Sequence, residues 1–499
     1  MSHLLIIDLP GGNDTDLLSC AIQRGDRFTF LTSDMSIYRR DPRVWSWVEK
    51  AHHLVESPSF DAADLEPQLK TLHQRDAFDA LLCLIDIRLV EAARLAQALG
   101  LPFLNPSSAT LLRDKYSVRS QLQSKGLEQA PFALATSNPE LQEAVKRIGL
   151  PVIIKPSDGY GSQNIFLLEN EWDLEEYISP LQDMLPLMSD YGLGVVSNDR
   201  MLVERFVRGP VLGCDVFTLN GEHQLLGVHE KQYFDEPSFA IRGGCFNPNV
   251  GQYQALERTL FAWLDAVDFD FGASHIELVC TDDGYQLIEI NARLVGAKLS
   301  RLMSYSLGYN VLSSLIDLHL GKRMRPLVHP LSAKDTRVHS HFINHPTPQF
   351  SVSRWITADE KSVGLLNRVI QPKLPIPGVK SVEILKKRGD WIRPPMENAD
   401  RIGFIMTTAV NKLEAEMSAE QYLSLCTCVA MSPPDLSAPK PTHNATGSSA
   451  SSPMAQIATA TFGSTLMTTA KWPETETPQV PSISISASAS VPKKHNETV

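Results

Sequence analysis

The chain has 499 residues, enough for two or three globular units, because single cores seldom grow beyond a few hundred residues. Its 46 Lys and Arg against 57 Asp and Glu leave a formal charge of -11, which excludes an overall basic field for gathering nucleic acid or an anionic membrane and makes small molecules the expected partners. The seven cysteines are scattered without the paired spacings of a zinc site or a disulfide framework, which suits a reducing, cytoplasmic setting.

The start, MSHLLIIDLPGG, is apolar for only a few residues before Asp8, so it reads as a first strand and not as a signal peptide. No stretch reaches the roughly 20 apolar residues of a membrane span. Leu4–Leu9, Phe28–Thr32 and Ala80–Leu84 read as strands, and Arg88–Leu99 as a helix with Leu89, Ala92, Ala96 and Leu99 on one face. This alternation predicts a parallel α/β domain over residues 1–105. Gly11-Gly12 lacks the G-x-G-x-x-G spacing and reads as a plain turn.

Residues 106–321 carry longer helical patterns, antiparallel-looking strands and nearly all the chemically suggestive motifs, and form the expected catalytic body. Lys115 and Arg119 lie one turn apart on a helix; alone they read as solvated charges. The run Leu150–Lys155 is an apolar strand ending in a lysine, followed by a turn with Gly159, Gly161 and Ser162. A lysine in such a strand is costly unless it meets an anion, and the turn offers backbone N–H groups, so together they predict a phosphate cradle distinct from the P-loop. Glu204 to Val207, running into Gly209-Pro210, is a strand-to-turn junction of the kind that presents backbone groups to a purine.

The strongest signal is the pair His275-Ile-Glu277 and Glu289-Ile-Asn291-Ala-Arg293, joined by a turn at Thr281-Asp-Asp-Gly284. Alternation predicts Glu289, Asn291 and Arg293 on one strand face, with Ile288 and Ile290 on the other, and hairpin pairing adds Glu277 to the first. Two carboxylates and an amide oxygen suit Mg²⁺ bridging nucleotide phosphates, with Arg293 at a developing acyl phosphate.

Residues 322–431 contain strand-like pieces (Thr336–Ile343, Val379–Leu385) and a helix near Ala409–Cys426, and read as a closing lobe. His339, His341 and His345 there lack a Cys or carboxylate at ligand spacing and read as a polar strand face, with zinc as the rival reading. Residues 432–499 are dominated by Ser, Thr, Ala and Pro, a composition that does not offset its ordering entropy, and read as a disordered tail.

Taken in order, Gly100-Leu-Pro102 with Lys115 and Arg119, Ile154-Lys155-Pro156 with Gly159 and Gly161, Glu204 to Gly209-Pro210, His275-x-Glu277, Glu289-Ile-Asn291-x-Arg293 with Gly296, and Asp400-Arg401-Ile402-Gly403 make residues 1–430 resemble the ATP-grasp superfamily and, within it, the dipeptide-forming L-amino-acid ligases. The resemblance implies a combined α/β and α+β architecture: an ATP-grasp fold with an N-terminal parallel α/β domain, a central body and a C-terminal closing lobe. It implies an enzyme that uses ATP and one or two Mg²⁺, with Mn²⁺ as an alternative, to join a small-molecule carboxylate to an amine through an acyl phosphate. By this resemblance Lys115, Lys155, Gly159, Gly161 and Ser162 contact phosphates. Glu204, Arg205, Phe206 and Val207 line the adenine pocket, and Lys231 lies near nucleotide or substrate. Glu277, Glu289 and Asn291 bind metal, while Arg293 and Gly296 meet the substrate.

Two departures stand out. Val211 occupies the place of a ribose-binding glutamate, with Asp215 as the nearest substitute. The loop Phe239–Pro248 lacks the glutamate and histidine that relatives bring to the amino-acid substrate, and Arg242 there points either to an acidic or modified substrate or to a shifted alignment. A carboxylase-type ATP-grasp subunit and a non-catalytic nucleotide-binding scaffold are the alternative readings, and a homodimer is left open.

Overall fold

A computed structural model describes residues 1–127, 130–159, 164–170, 187–188, 195–196, 199–234, 240–322, 349–396 and 398–431. Gly161 and Ser162, the strand expected at Thr336–Ile343, the three histidines at 339, 341 and 345, and the tail from 432 onward fall outside them. Residues 1–433 pack as one compact unit. No helix among the described residues is long and apolar enough to cross a membrane.

The N-terminal sheet is parallel throughout, in the order His53–Glu56, Arg27–Thr32, His3–Ile7, Ala80–Cys83. Both of its faces are apolar because both are covered. Leu4 and Ile6 join Phe28 and Phe30 in a core shared with the rest of the molecule, while Leu5, Ile7 and Leu31 pack beneath the helices Ala62–Arg75 and Leu89–Leu99.

A four-stranded antiparallel sheet (Phe132–Ala135, Met201–Arg205, Val152–Pro156, Phe166–Leu168) carries the candidate phosphate lysine. Val152 and Ile154 bury against Leu141, Val145 and Ile148 of the helix Asn138–Ile148. The alternate residues Ile153 and Lys155 therefore lie on the other face, alongside their cross-strand neighbours Glu204 and Leu202.

The largest sheet has eight strands, all antiparallel: Gly284–Asn291, Phe271–Thr281, Val211–Leu219, Glu222–Tyr233, Ile241–Asn247, Phe350–Ile356, Gly403–Ala409 and Val379–Ile384. Strands expected in the closing lobe continue the central sheet, joined where Cys245 pairs with Val352. Helix Lys412–Leu425 covers this end through Ala415 and Ala419, against Cys245 and Val352.

At the other end, Cys214, Ile276 and Leu278 pack with Leu260, Trp263 and Leu264 of the helix Gln254–Ala266. Alternation then turns Asp215, His275 and Glu277 to the opposite face, where the site forms.

Candidate active site

The first part of the site is a closed cluster of ions. Lys155 Nζ meets Glu204 Oε1, and Arg119 Nε lies 3.1 Å from Glu204 Oε2. Arg119 also donates through Nη2 to the carbonyls of Leu287 (2.6 Å) and Ile288 (2.9 Å), so it ties the small sheet to the edge strand of the large one. Those carbonyls are available because the register between Phe271–Thr281 and Gly284–Asn291 shifts there, leaving Ile288 without a partner. Burial disfavours the Lys155 ammonium and lowers its pKa. Burial would raise the Glu204 carboxyl, yet Lys155 and Arg119 together hold it below the usual carboxylate range.

Lys115 stands at the start of the helix Lys115–Ser124, which Asp114 caps by accepting from Ser117 N at 2.7 Å. Its backbone N–H donates to Ser157 O at 2.8 Å. Its ammonium reaches Gly159 O and lies 3.4 Å from Glu289 Oε2. The base of the expected phosphate turn is thereby fastened to the helix that carries the second lysine.

The carboxylates sit on the neighbouring strands. Glu277 pairs directly with Glu289, and His275 with Asn291. Lys231 Nζ lies 2.5 Å from Glu277 Oε1, and Asn291 Nδ2 donates to Glu289 Oε1 at 2.9 Å. Burial opposes the Glu277 charge, but Lys231 and His275 overcome it and hold the carboxyl well below its ordinary range. Beneath them, the fully buried Asp215 is 3.1 Å from His275 Nδ1 and 3.0 Å from His229 Nε2, and its Oδ1 accepts from Val295 N at 2.8 Å. Gly213, opposite Glu277, is required by the same packing: a Cβ there would stand 2.6 Å from the His275 ring.

The bulge at Ile288 corrects the expected alternation. Leu287 and Ile290, not Ile288 and Ile290, enter the core, while Glu289 and Asn291 still share the cleft face. Arg293 lies beyond the strand end at Asn291, and its guanidinium forks onto Asp86, with Nε and Nη2 at 2.8 and 2.6 Å from Oδ2.

Beside Arg293 opens a cavity of about 270 Å³, lined among others by Asp14, Asp86, Arg293, Gly296, Lys298 and Arg401. Ala297 and Lys298 both adopt left-handed backbone, with φ of 55° and 60°, a strained pair for residues with a Cβ. Arg401 stacks 4.3 Å over the Trp355 ring; burial pushes its pKa down to about 10, and its Nε has no hydrogen-bond partner. Burial and the adjacent Asp16 push the Asp14 carboxyl up to about 6.

Two carboxylates opposed across a strand pair, with an amide beside them, are the hard oxygen donors that Mg²⁺ takes. Glu277, Glu289 and Asn291 therefore fit one or two such ions.

Residues 148–301 match the ATP-grasp domain family, and residues 371–427 match the L-amino acid ligase C-terminal domain 2. The chain carries an ATP-grasp domain and an L-amino acid ligase C-terminal domain. The solved L-amino acid ligase of Bacillus licheniformis superposes with a TM-score of 0.66 over 87% of this chain and 99% of that one; at 18% identity the likeness shows the fold. Among curated relatives, an uncharacterised protein of Sinorhizobium fredii is 25% identical over 65% of this chain and 62% of its own length. Human carnosine synthase 1 is 25% identical over 54% of this chain and 37% of its own length. The chain thus spans less than two thirds of either relative.

The structure brings Lys115, Gly159, Glu289 and Asn291 to one cleft, places Glu277 with Lys231 beside Glu289, joins Lys155 and Glu204 to the cleft through Arg119, and puts Arg293 and Gly296 in the adjoining cavity. Four expected residues stand elsewhere or act otherwise. Arg205 donates to Ile148 O at 2.8 Å, on the helix side of its strand, and Phe206 N–H is engaged by Pro151 O at 3.0 Å, which leaves Val207 as the first residue of the junction without such a tie in the described contacts.

Arg242 occupies an irregularity where Gln232 pairs with Gly243 and Tyr233 with Ile241. The extra residue turns toward the covering helix and forks onto Glu420, with both contacts at 2.8 Å. Asp215, offered as a ribose ligand, is sealed between two imidazoles. Asp86 and Asp14 went unnamed in the sequence reading, and Arg401 was named there only as part of the Asp400-Arg401-Ile402-Gly403 motif. A signal for Asp86 was present, since it stands three residues past the end of the strand Ala80–Cys83, and the carboxyl ends of parallel strands are where such sheets place functional groups.

Proposed function

We propose that the chain is an ATP-dependent carboxylate–amine ligase that forms an amide or peptide bond between an amino acid or related carboxylate and an amine, releasing ADP and phosphate. The observation that carries this reading is a shared wall: Asp86 lines both the narrow cleft with Lys115, Glu289 and Asn291 and the cavity with Arg293 and Gly296. A phosphate-handling site and a space the size of a small metabolite meet there.

Lys115 and Lys155, with the turn Gly159, Gly161 and Ser162, hold the phosphates of ATP, and Glu204 to Val207 offer backbone groups to adenine. Glu277, Glu289 and Asn291 would hold Mg²⁺, or Mn²⁺ in its place, which when bound supplies neutralisation of the transferring phosphoryl group. The substrate carboxylate attacks the γ-phosphorus, ADP leaves, and an acyl phosphate forms. Arg293, oriented by Asp86, stabilises the oxyanion as the amine attacks and phosphate departs. In the cavity, Asp14 takes a substrate ammonium and Arg401 an anionic or carbonyl oxygen, a pairing suited to an amino-acid-sized first substrate.

The test is a screen for amine-stimulated ADP release across amino acids, acyl amino acids and polyamines, with heavy oxygen placed in the substrate carboxylate. Appearance of the label in released phosphate supports the acyl phosphate. AMP with pyrophosphate, or an absolute requirement for bicarbonate, sinks the reading.

A further inference from the structure

Away from the cleft, a second set of ligand-type side chains gathers at the amino ends of the parallel strands. His3 opens the first strand, His52 and His53 stand at the start of His53–Glu56, and Asp76 terminates the helix Ala62–Arg75. Their ring nitrogens converge on one oxygen. Asp76 Oδ2 lies 3.1 Å from His52 Nε2, 3.4 Å from His53 Nε2 and 3.5 Å from His3 Nδ1. The ligand atoms of His52, His53 and Asp76 all fall within 4.8 Å of one another. Ligands on a tetrahedral ion with bonds of about 2.0–2.1 Å stand about 3.3–3.4 Å apart, and the three distances from Asp76 Oδ2 bracket that value.

The contacts on Asp76 Oδ2 are ion pairs of several ring nitrogens with one oxygen, short of well-formed hydrogen bonds. His3 Nδ1, His53 Nε2 and Asp76 Oδ2 are each shielded from solvent and have no hydrogen-bond partner, and His3 as a residue is only 1% exposed. Three shielded polar atoms that meet one another without good hydrogen-bond geometry are costly, and a bridging cation would satisfy all three. The remaining polar atoms of two of these groups are held from behind: His3 Nε2 lies 2.9 Å from Thr29 Oγ1, and Arg27 donates to Asp76 Oδ1. This backing fixes the ring and carboxylate so that Nδ1 and Oδ2 face the gap.

We propose that His52, His53 and Asp76, joined by His3 when an ion draws its Nδ1 in, form a tetrahedral site for Zn²⁺ that staples the amino edge of the parallel sheet. Three imidazoles with one carboxylate suit zinc and are poor ligands for Mg²⁺ or Ca²⁺, so the site is chemically separate from the oxygen-rich cleft. Its position at the opposite ends of the strands from Asp14 and Asp86 gives it a structural role and no part in the reaction.

The test uses the full chain stripped by chelator and titrated with Co²⁺ in excess Mg²⁺, followed by Zn²⁺. One equivalent of Co²⁺ is expected to give the intense visible bands of a tetrahedral ion. Zn²⁺ should displace it and raise the melting temperature by several degrees. A His52→Ala/His53→Ala double variant, altered only at the partly exposed side of the cluster, should keep its fold but lose both the bands and the zinc-dependent shift, and Asp76→Asn should weaken both. Weak octahedral bands alone in the parent chain, or intense bands that persist in the double variant, would overturn the proposal.

Discussion

Two clusters of charge face each other across the candidate cleft, and they are built on opposite terms. In Lys155, Glu204 and Arg119 every charge has a protein partner, and the side chains are 6, 7 and 2% exposed. Glu277 and Glu289 are 21 and 25% exposed and have one lysine each, Lys231 and Lys115. The closed triad ties the helix Lys115–Ser124 and two sheets together, and the Lys155 ammonium, with one N–H on Glu204, keeps further donors for a phosphate oxygen. The open pair keeps oxygen lone pairs for an incoming cation. Burial that is fully compensated makes structure, and burial that is partly compensated makes a site.

The largest expected effect comes from the open pair. Glu289→Gln removes ligand charge while leaving the Asn291 contact a polar partner, and should reduce turnover by roughly 10²-fold or more with an unchanged melting temperature. Near-normal turnover at ordinary Mg²⁺ would remove Glu289 from the metal set. Arg293→Ala should lower kcat by roughly 10², the scale of losing one oxyanion donor, and weaken ATP binding less than Lys155→Ala does. A loss confined to ATP affinity would exchange the two roles.

The closed triad is expected to answer in stability. Glu204→Gln leaves Lys155 and Arg119 buried without a countercharge and should cost roughly 3–5 kcal/mol in thermal or denaturant unfolding. The pH dependence follows the same sign. Because the folded pKa of Glu204 is depressed, its contribution is present above the unfolded carboxylate value of about 4.3 and is lost as pH falls through the folded value. The parent chain should therefore lose stability in acid more steeply than Glu204→Gln.

A smaller effect is expected in the cavity. Asp14 gains its charge as pH rises through about 6, so kcat/KM for a substrate with a free ammonium should fall below that pH, and Asp14→Asn should flatten that limb. Smallest of all, a chain ending at Ser432 should keep its melting temperature and its rate, since a Ser, Thr, Ala and Pro segment offers little apolar surface to bury. A large loss of either would give the tail a part in the folded body.

Much of this was legible in the sequence because it depends on local pattern. Period-two alternation located the first parallel strands and brought Glu277 opposite Glu289 once the Thr281–Gly284 turn was recognised. A lysine ending an apolar strand announced an anionic partner, although that partner is Glu204 of the neighbouring strand. What alternation did not carry were the places where the register slips. The bulge at Ile288 changed which residues enter the core, and the one beside Gln232 sent Arg242 to Glu420. A bulge is set by how two strands meet, and neither strand's composition records it.

The sequence by itself determined the strand-forming runs, the helix faces, the order of the charged motifs and hence the family resemblance, because each rests on neighbours along the chain. Tertiary structure alone decided which charges are paired. Arg119, unremarkable on its helix, is buried as a bridge between two sheets. Asp86 and Arg293, 207 positions apart, share one ion pair, and strands of the closing lobe continue the central sheet. The free energy of a buried charge depends on what packs around it from distant parts of the chain, and only the folded molecule brings those parts together.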